Sequence, residues 1–412
     1  MTLEIATLIM SGVATVAAAV SCYVTLAARG RAASVRRFRE TREYLKQHRG
    51  HLVEQALAYH GALRHEQKIP LLSLPGWIQS SPTPLVEIEL ILPRRMPYGD
   101  ALSEATHKTA RYWPRSESGA KLRKYSDAIT AYDKPSLWKN RRSYRLLEVN
   151  PSASPIEQPI SLTFSLGYYF DLIDTSEVLG FEAALRLAKG RPLNWASSYR
   201  TWLSDPFALG KRCVIPGINV LTIRQSVKGA HYFLHDRRGS DVALSMNAIH
   251  VTPAIEFQPS SSLTPDYGVN RDIWHTVYTG YLREFLGITE SGDARDVSTD
   301  PSYAALEDAR RNGTCTSWFL GIGLDPLTWK PEVLLACIFQ EEAFDAIFSS
   351  MVQRNPQGPL LHSRIGAPSV SGLPFSRDAV SKYADDPGTL PAGRACLALT
   401  WQSRKFLGIT ES

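Results

Sequence analysis

Residues Ile218–Ile223 read INVLTI and residues Ala230–Leu234 read AHYFL, with Lys228-Gly229 between them. Two short runs rich in β-branched and aromatic residues, separated by a turn that carries glycine, predict a β-hairpin. The texture holds downstream. Val242–Ser245 and Ile249–Thr252 continue as short strands, and a loop with Pro253, Pro259 and Pro265 leads into Asp272–Leu286. There Ile273, Val277, Tyr281 and Phe285 recur at helical spacing, and Gly287 stands where a helix C-cap belongs. Ser317–Ile322 and Val333–Phe339 read as further strands, and Ala395–Leu407 as a final helix.

Upstream of the hairpin, Asp174–Leu203 has a helix-compatible pattern, and Leu85–Leu92 (LVEIELIL) alternates like a strand after a linker punctuated by Pro70, Pro75, Pro82 and Pro84. Tyr98–Asn150 is polar, rich in Arg and Lys, and has no usable period; the run to Tyr168 and Phe170 reads as strand and turn. Ala32–Leu63 places Phe38, Tyr44, Leu45, Leu52, Leu57 and Leu63 among many charges, which predicts an amphipathic or coiled helical stalk. The class is α+β. The heptapeptide FLGITES occurs at Phe285–Ser291 and again at Phe406–Ser412, but the flanks of the two copies do not match, so no duplicated unit follows from it.

At 412 residues, 44% hydrophobic and 21% charged, the chain has material for two or three domains and is neither disordered nor polytopic. Its charge is local. Arg29 to Arg49 holds eight basic residues and two acidic ones, a +6 stretch, and the remaining 38 basic and 38 acidic residues cancel. The body is therefore not a basic nucleic-acid-binding surface, and direct DNA binding is not expected. Immediately before that stretch, Ile5–Ala28 carries no formal charge, which predicts a single transmembrane helix whose basic flank stays cytoplasmic. Alternatives are a buried soluble helix and, through Ala18-Ala19-Val20-Ser21-Cys22, a lipoprotein site. Ser11, Thr15 and Ala19 add the small-residue spacing that lets such helices approach. The five cysteines are scattered with no C-x-x-C pair, which speaks against a disulfide framework or a zinc ribbon.

The order hairpin, Arg-containing strand end, paired strands, Pro-rich loop, helix closing in Glu-x-x-Gly, strands and helix is similar to a Nudix domain. INVLTI, YFLHDRR, HVTPAIEFQP and YTGYLREFLGITE carry the resemblance, which covers roughly 203–407. They look most like the divergent Nudix domains found beside cyclic-oligonucleotide synthases in bacterial anti-phage systems, where transmembrane segments precede the domain. The resemblance implies a Nudix-like mixed sheet flanked by helices over 166–412, following a transmembrane anchor (1–28), a basic juxtamembrane helix (29–65) and a small α+β module (66–165) of unassigned role. It also implies a cell inner-membrane effector, single-pass with a cytoplasmic body, whose partners are a cyclic nucleotide second messenger, the lipid bilayer and further copies of itself.

The chemistry tests that implication. A working Nudix box sets several carboxylates on one helix face to hold magnesium against a diphosphate. Anchored on Gly287, the Glu-Glu pair falls on Glu284 and Phe285, or on Arg283 and Glu284, and the upstream Arg-Glu pair falls among Thr279, Gly280 and Tyr281. One carboxylate survives, so binding without hydrolysis is expected, no cofactor is required, and magnesium enters only if a hydrolase with auxiliary acids such as Glu341-Glu342 is the true reading. A lone helix Glu284 on the surface predicts less than about 0.5 kcal/mol for Glu284→Gln. Arg237-Arg238 either grips phosphate or is a solvated turn pair, and Phe257-Gln258 either stacks and hydrogen-bonds a base or closes the core. His231 and His235, roughly 13 Å apart along a strand, do not share a metal. The candidate ligand site is thus Arg237, Arg238, Phe257, Gln258 and Glu284. The functions in play are a nucleotide sensor that self-associates, a tethered hydrolase of nucleoside-diphosphate derivatives, and a scaffold without a small ligand.

Overall fold

The computed structural model describes residues 2–412 apart from 64–68, 93–100, 115, 117–121, 137, 152–159, 194–197, 239–247, 260–272, 289–298, 356–357 and 362–371, with the side chains of 2–14, 17, 62 and 101 also outside the description. The fold is mixed α+β with several sheets. Its largest sheet runs in the order Ile78–Pro84, Cys315–Leu324, Pro331–Gln340, Gly217–Ser226, Gly229–Tyr232, Leu373–Pro374, with Ala254–Glu256 also on Gly217–Ser226. Gly217–Ser226 and Gly229–Tyr232 form the expected hairpin, with Ile223 opposite Tyr232. Pro331–Gln340 lies parallel to Gly217–Ser226, from Glu332 beside Gly217 to Gln340 beside Gln225. Both of these central strands are apolar on both sides because both sides are covered. Val333, Leu335, Cys337 and Phe339 enter one core with Ile218 and Val220. Leu334, Ala336 and Ile338 enter the other with Leu221 and Ile223.

The helix expected over 272–286 is observed as Ile273–Glu284 on the first face, where Trp274, Val277, Tyr278 and Tyr281 are buried. The final helix is Pro391–Ser403 on the second face, with Ala395 and Leu399 buried. A four-stranded sheet (Arg354–Asn355, Gly358–Leu361, Leu234–Asp236, Ile249–Val251) closes one end. The strand expected at Val242–Ser245 lies outside the described residues.

The small α+β module contains a three-stranded sheet in the order Glu89–Ile91, Ser161–Tyr168, Arg142–Asn150 and the helices Ala101–Lys108 and Tyr125–Tyr132. It shares its hydrophobic core with the main sheet: Tyr144, Leu146, Leu162 and Phe164 belong to the same cluster as Val333 and Tyr281. The strand expected at Leu85–Leu92 is observed only over Glu89–Ile91. Leu85–Glu87 is a 3-10 turn, and the long pairing in this region is made by the proline-bearing Ile78–Pro84, an edge strand on Cys315–Leu324. Proline is tolerated there because one side of an edge strand has no ladder to complete.

Two expectations about the N-terminus are corrected. Among the described residues no helix is long and apolar enough to cross a membrane. That finding overturns the single-pass transmembrane anchor over 1–28, and with it the inner-membrane placement. The basic stalk is corrected too: Val35, Phe38, Arg42 and Leu45 are buried, as are Leu52, Val53, Ala56 and Leu57 of the following helix Arg49–Tyr59. Arg42 is 1% exposed and reaches Asp133 (Nε to Oδ2, 2.8 Å), Glu177 (Nη1 to Oε1, 3.0 Å) and the Tyr125 hydroxyl (3.2 Å). A charge read as part of a solvated flank is an internal strut.

A further buried acid stands beside that strut. Asp174, in the π-helical stretch Ile173–Glu177, accepts from the Ser126 backbone N–H (2.7 Å) and hydroxyl (3.1 Å) at the start of the helix Tyr125–Tyr132. Burial pushes its carboxyl up from 3.8 to about 7, against those hydrogen bonds and Lys124 Nζ at 3.8 Å. A raised folded pKa means that the folded chain holds a proton the unfolded chain has lost, so stability from this group falls as pH rises through the window between those values. Denaturation of the wild type and of Asp174→Asn at pH 5 and pH 8 should therefore show the wild type gaining on the variant at the lower pH. A difference independent of pH would refute the buried-acid assignment.

The described FLGI parts of the two FLGITES copies meet the same local fate. Gly287 and Gly408 both adopt φ +67°, and each follows a helix end whose chain closes with a long-step hydrogen bond, Ile288 N–H to Leu282 O (2.8 Å) and Ile409 N–H to Arg404 O (2.8 Å). Glycine takes this left-handed conformation at no Cβ penalty.

Candidate functional site

The five site residues expected from the sequence are placed on three elements. Leu234–Asp236 ends at Arg237, Ala254–Glu256 leads to Phe257, and the helix Ile273–Glu284 ends at Glu284. The helix can lie close because Gly280 has no side chain: a Cβ there would sit 2.7 Å from Pro253 Cβ. The approach delivers the Glu284 carboxylate into a ring of donors. Oε1 accepts from Ala254 N–H (3.1 Å) and from Arg237 Nη2 (3.3 Å), and Oε2 accepts from Thr252 Oγ1 (2.8 Å) and faces His235 Nδ1 at 3.6 Å. His235 Nε2 lies 3.0 Å from Gly358 O, which assigns the proton to that nitrogen. Burial alone pushes the Glu284 carboxyl up, but Arg237, His235 and Thr252 outweigh it and hold the group below its ordinary value. His250 is held neutral, first by burial and then by the nearby Arg237.

Glu284 is 1% exposed and Arg237 6%, so the expected surface acid is a buried structural knot. A buried carboxylate whose oxygens already accept from Ala254 N–H, Arg237 and Thr252 offers no open oxygen to a cation. The magnesium that a Nudix resemblance implies does not fit these residues, and among the described residues no group of three or more His, Cys, Asp or Glu side chains is placed to hold a metal.

The other three residues divide differently. Phe257 is 1% exposed and its ring lies 4.5 Å from Tyr144 and 5.1 Å from Phe164, centroid to centroid. Its N–H donates to Pro216 O and its carbonyl accepts from Tyr144 N–H. It rivets the small module to the main sheet and offers no open face to a base, which corrects the stacking reading. Gln258 donates to Ser143 Oγ (3.3 Å) across the same seam. Arg238 alone is exposed, and it is clamped in a two-bond fork on Asp236 (2.8 and 2.6 Å). That fork is the geometry a phosphate would compete for. The structure thus joins Arg237 to Glu284 and Phe257 to Gln258 but does not assemble the five around one opening.

No protein-family model matches the chain, and no curated protein is similar to it.

A site missed in the sequence lies where the helix Thr2–Gln47 breaks at His48 and resumes as Arg49–Tyr59. A cleft of about 260 Å³ opens there against the turn Pro387–Pro391. Lys46, His48, Arg49 and His51 line it from the helix side, and Val53 and Leu390 form part of its apolar floor. Among the described residues, no Asp or Glu lines it. The two walls meet at Gly50, where an added Cβ would sit 2.5 Å from Pro387 O. Lys46 also holds Asp133 (Nζ to Oδ1, 2.7 Å) and Arg49 holds Asp325 (Nη2 to Oδ2, 3.3 Å). Sequence reasoning placed Lys46 and Arg49 in the basic flank; the signal that marks them out is their clustering with two histidines around a glycine.

Proposed function

We propose that the chain is a nucleotide-binding protein of Nudix-like architecture that binds a cyclic di- or oligonucleotide without hydrolysing it and self-associates on binding. Support for the architecture comes from the order hairpin, short strands, helix and antiparallel pair, with Pro331–Gln340 parallel to the first hairpin strand. The observation that carries the non-hydrolytic reading is the Glu284 knot. The one carboxylate left at the Nudix-box position is committed to Arg237, Thr252 and Ala254, so it neither ligates a cation nor activates a water. Ligand binding shifts an assembly equilibrium only by its differential affinity for the two states, so the nucleotide must prefer the assembled form.

The test titrates the full chain with a panel of cyclic di- and oligonucleotides by calorimetry, follows mass by light scattering, and analyses the ligand afterwards by chromatography with and without magnesium. Binding with intact ligand and rising mass is the expected result. Magnesium-dependent turnover overturns it in favour of a hydrolase, and absence of binding across the panel overturns it in favour of a scaffold.

A further inference from the structure

We infer that the cleft between the start of the helix Arg49–Tyr59 and the turn Pro387–Pro391 is a phosphate-binding subsite. The inference rests on the nucleotide reading above for the identity of the whole ligand, but not for the phosphate itself. Several independent features converge on an anion. The helix has eleven residues, its N-cap His48 gives no side-chain cap, and its first turn contains no acidic residue, so no side chain of its own first turn occupies its leading N–H groups. Lys46 and Arg49 add two fixed positive charges on the same wall. Each is held by one carboxylate of the body, but neither Asp133 nor Asp325 lines the cleft, and Arg49 Nε has no hydrogen-bond partner.

The opposite wall supplies an observation of another kind. Thr389 lines the cleft, is 1% exposed, and its hydroxyl has no hydrogen-bond partner. A buried hydroxyl is ordinarily satisfied, and one left open beside a cluster of cations is a donor waiting for an acceptor. Its neighbour Gly388 is held in place by donating its own N–H to Asp386 Oδ1 (2.8 Å), and Thr389 N–H donates to Asp386 O (2.9 Å). The turn that presents the hydroxyl is therefore fixed before any ligand arrives. Val53, Leu390 and Pro391 make part of the floor apolar, a surface suited to the carbon framework that carries a phosphate ester. A phosphate needs several donors converging on one point, with charge-assisted bonds from Lys or Arg among them. This cleft has a helix start, two cations and a free hydroxyl around a space of about 260 Å³, enough for a phosphate and the group attached to it.

The experiment uses inorganic pyrophosphate as the probe, titrated calorimetrically into the full chain and into Thr389→Val and Gly50→Val. Thr389→Val is nearly isosteric and removes a hydroxyl that makes no bond, so it leaves folding intact; Gly50→Val fills the narrowest part of the cleft. Pyrophosphate should bind the wild type, weaken at least fivefold in Thr389→Val, and weaken further in Gly50→Val, with melting curves showing that Thr389→Val is folded. Absence of pyrophosphate binding to the wild type, or binding to folded Thr389→Val with unchanged affinity, overturns the subsite. The nucleotide reading fails separately. If pyrophosphate binds and is lost in Thr389→Val while no nucleotide binds, the subsite stands and the nucleotide assignment falls. If nucleotides bind the wild type and Thr389→Val equally and pyrophosphate does not displace them, the subsite falls and the nucleotide assignment stands.

Discussion

Glu284→Gln is expected to lower the free energy of unfolding by about 3–5 kcal/mol, the usual cost of removing one partner from a buried ion pair. The amide keeps the size of the side chain and one acceptor oxygen, so the loss is one of charge. Arg237, 6% exposed, is left with no carboxylate at 3.3 Å, and the NH2 that replaces one oxygen confronts either the Ala254 N–H or the Thr252 hydroxyl side of the ring. Against a domain stability of roughly 5–15 kcal/mol, this is a large share. Urea denaturation of the full chain measures it, and a loss below about 1 kcal/mol would return Glu284 to the surface role that its sequence position suggests. Pairing Glu284→Gln with Arg237→Met should recover much of the loss, since a buried ion pair exchanged for apolar groups is often neutral.

Arg42→Ala is expected to cost a similar amount, about 3–5 kcal/mol, and to undo the seating of the N-terminal helix on the body. Glu177 is 3% exposed and loses the guanidinium 3.0 Å away, while Asp133 keeps Lys46 at 2.7 Å. The damage therefore concentrates on Glu177. Burial already pushes its carboxyl up against the opposing pull of Arg42, and without Arg42 it rises further. A raised folded pKa makes the penalty full at high pH and lets it fade as the group protonates. The stability gap between wild type and Arg42→Ala should thus be wider at pH 8 than at pH 5, and a gap that widens toward acid would contradict the assignment. Limited proteolysis provides the structural readout, with new cleavage between Val35 and Lys46 in the variant.

The parts of this fold that were legible in the sequence are those where a single period decides. The hairpin from Gly217 to Tyr232 and the helix Ile273–Glu284 follow from alternation and helical spacing in their own residues. The small module was illegible for a physical reason: its strand Arg142–Asn150 buries Arg145, 5% exposed, by donating to Gly210 O at 2.8 Å. Hydropathy counts such an arginine as surface. Arg42 misled in the same way, because the carboxylates that bury it lie about 90 and 135 residues further along the chain. The candidate site was half legible. Glu284 stood out as the surviving acid, but its burial depends on Thr252 and Ala254, brought in from the turn between two strands about 30 residues earlier. The phosphate cleft could not be read at all, since Arg49 and Thr389 become neighbours only through the tertiary fold.

The recurrence of FLGITES has a consequence for how shared strings within one chain are understood. Both described FLGI segments stop a helix through a glycine at φ +67°, so their likeness encodes an instruction to the backbone and no common ancestry of domains is needed. The two settings also differ in one useful respect. A methyl group added at Gly408 meets nothing within 4 Å, whereas at Gly287 it meets Val352 Cγ1 at 3.1 Å. One molecule thereby holds the same terminator twice, once in open space and once against a wall. Alanine at Gly408 isolates the intrinsic strain of a left-handed residue, about 1–2 kcal/mol, and whatever alanine costs beyond that at Gly287 belongs to crowding, with the chain serving as its own reference compound.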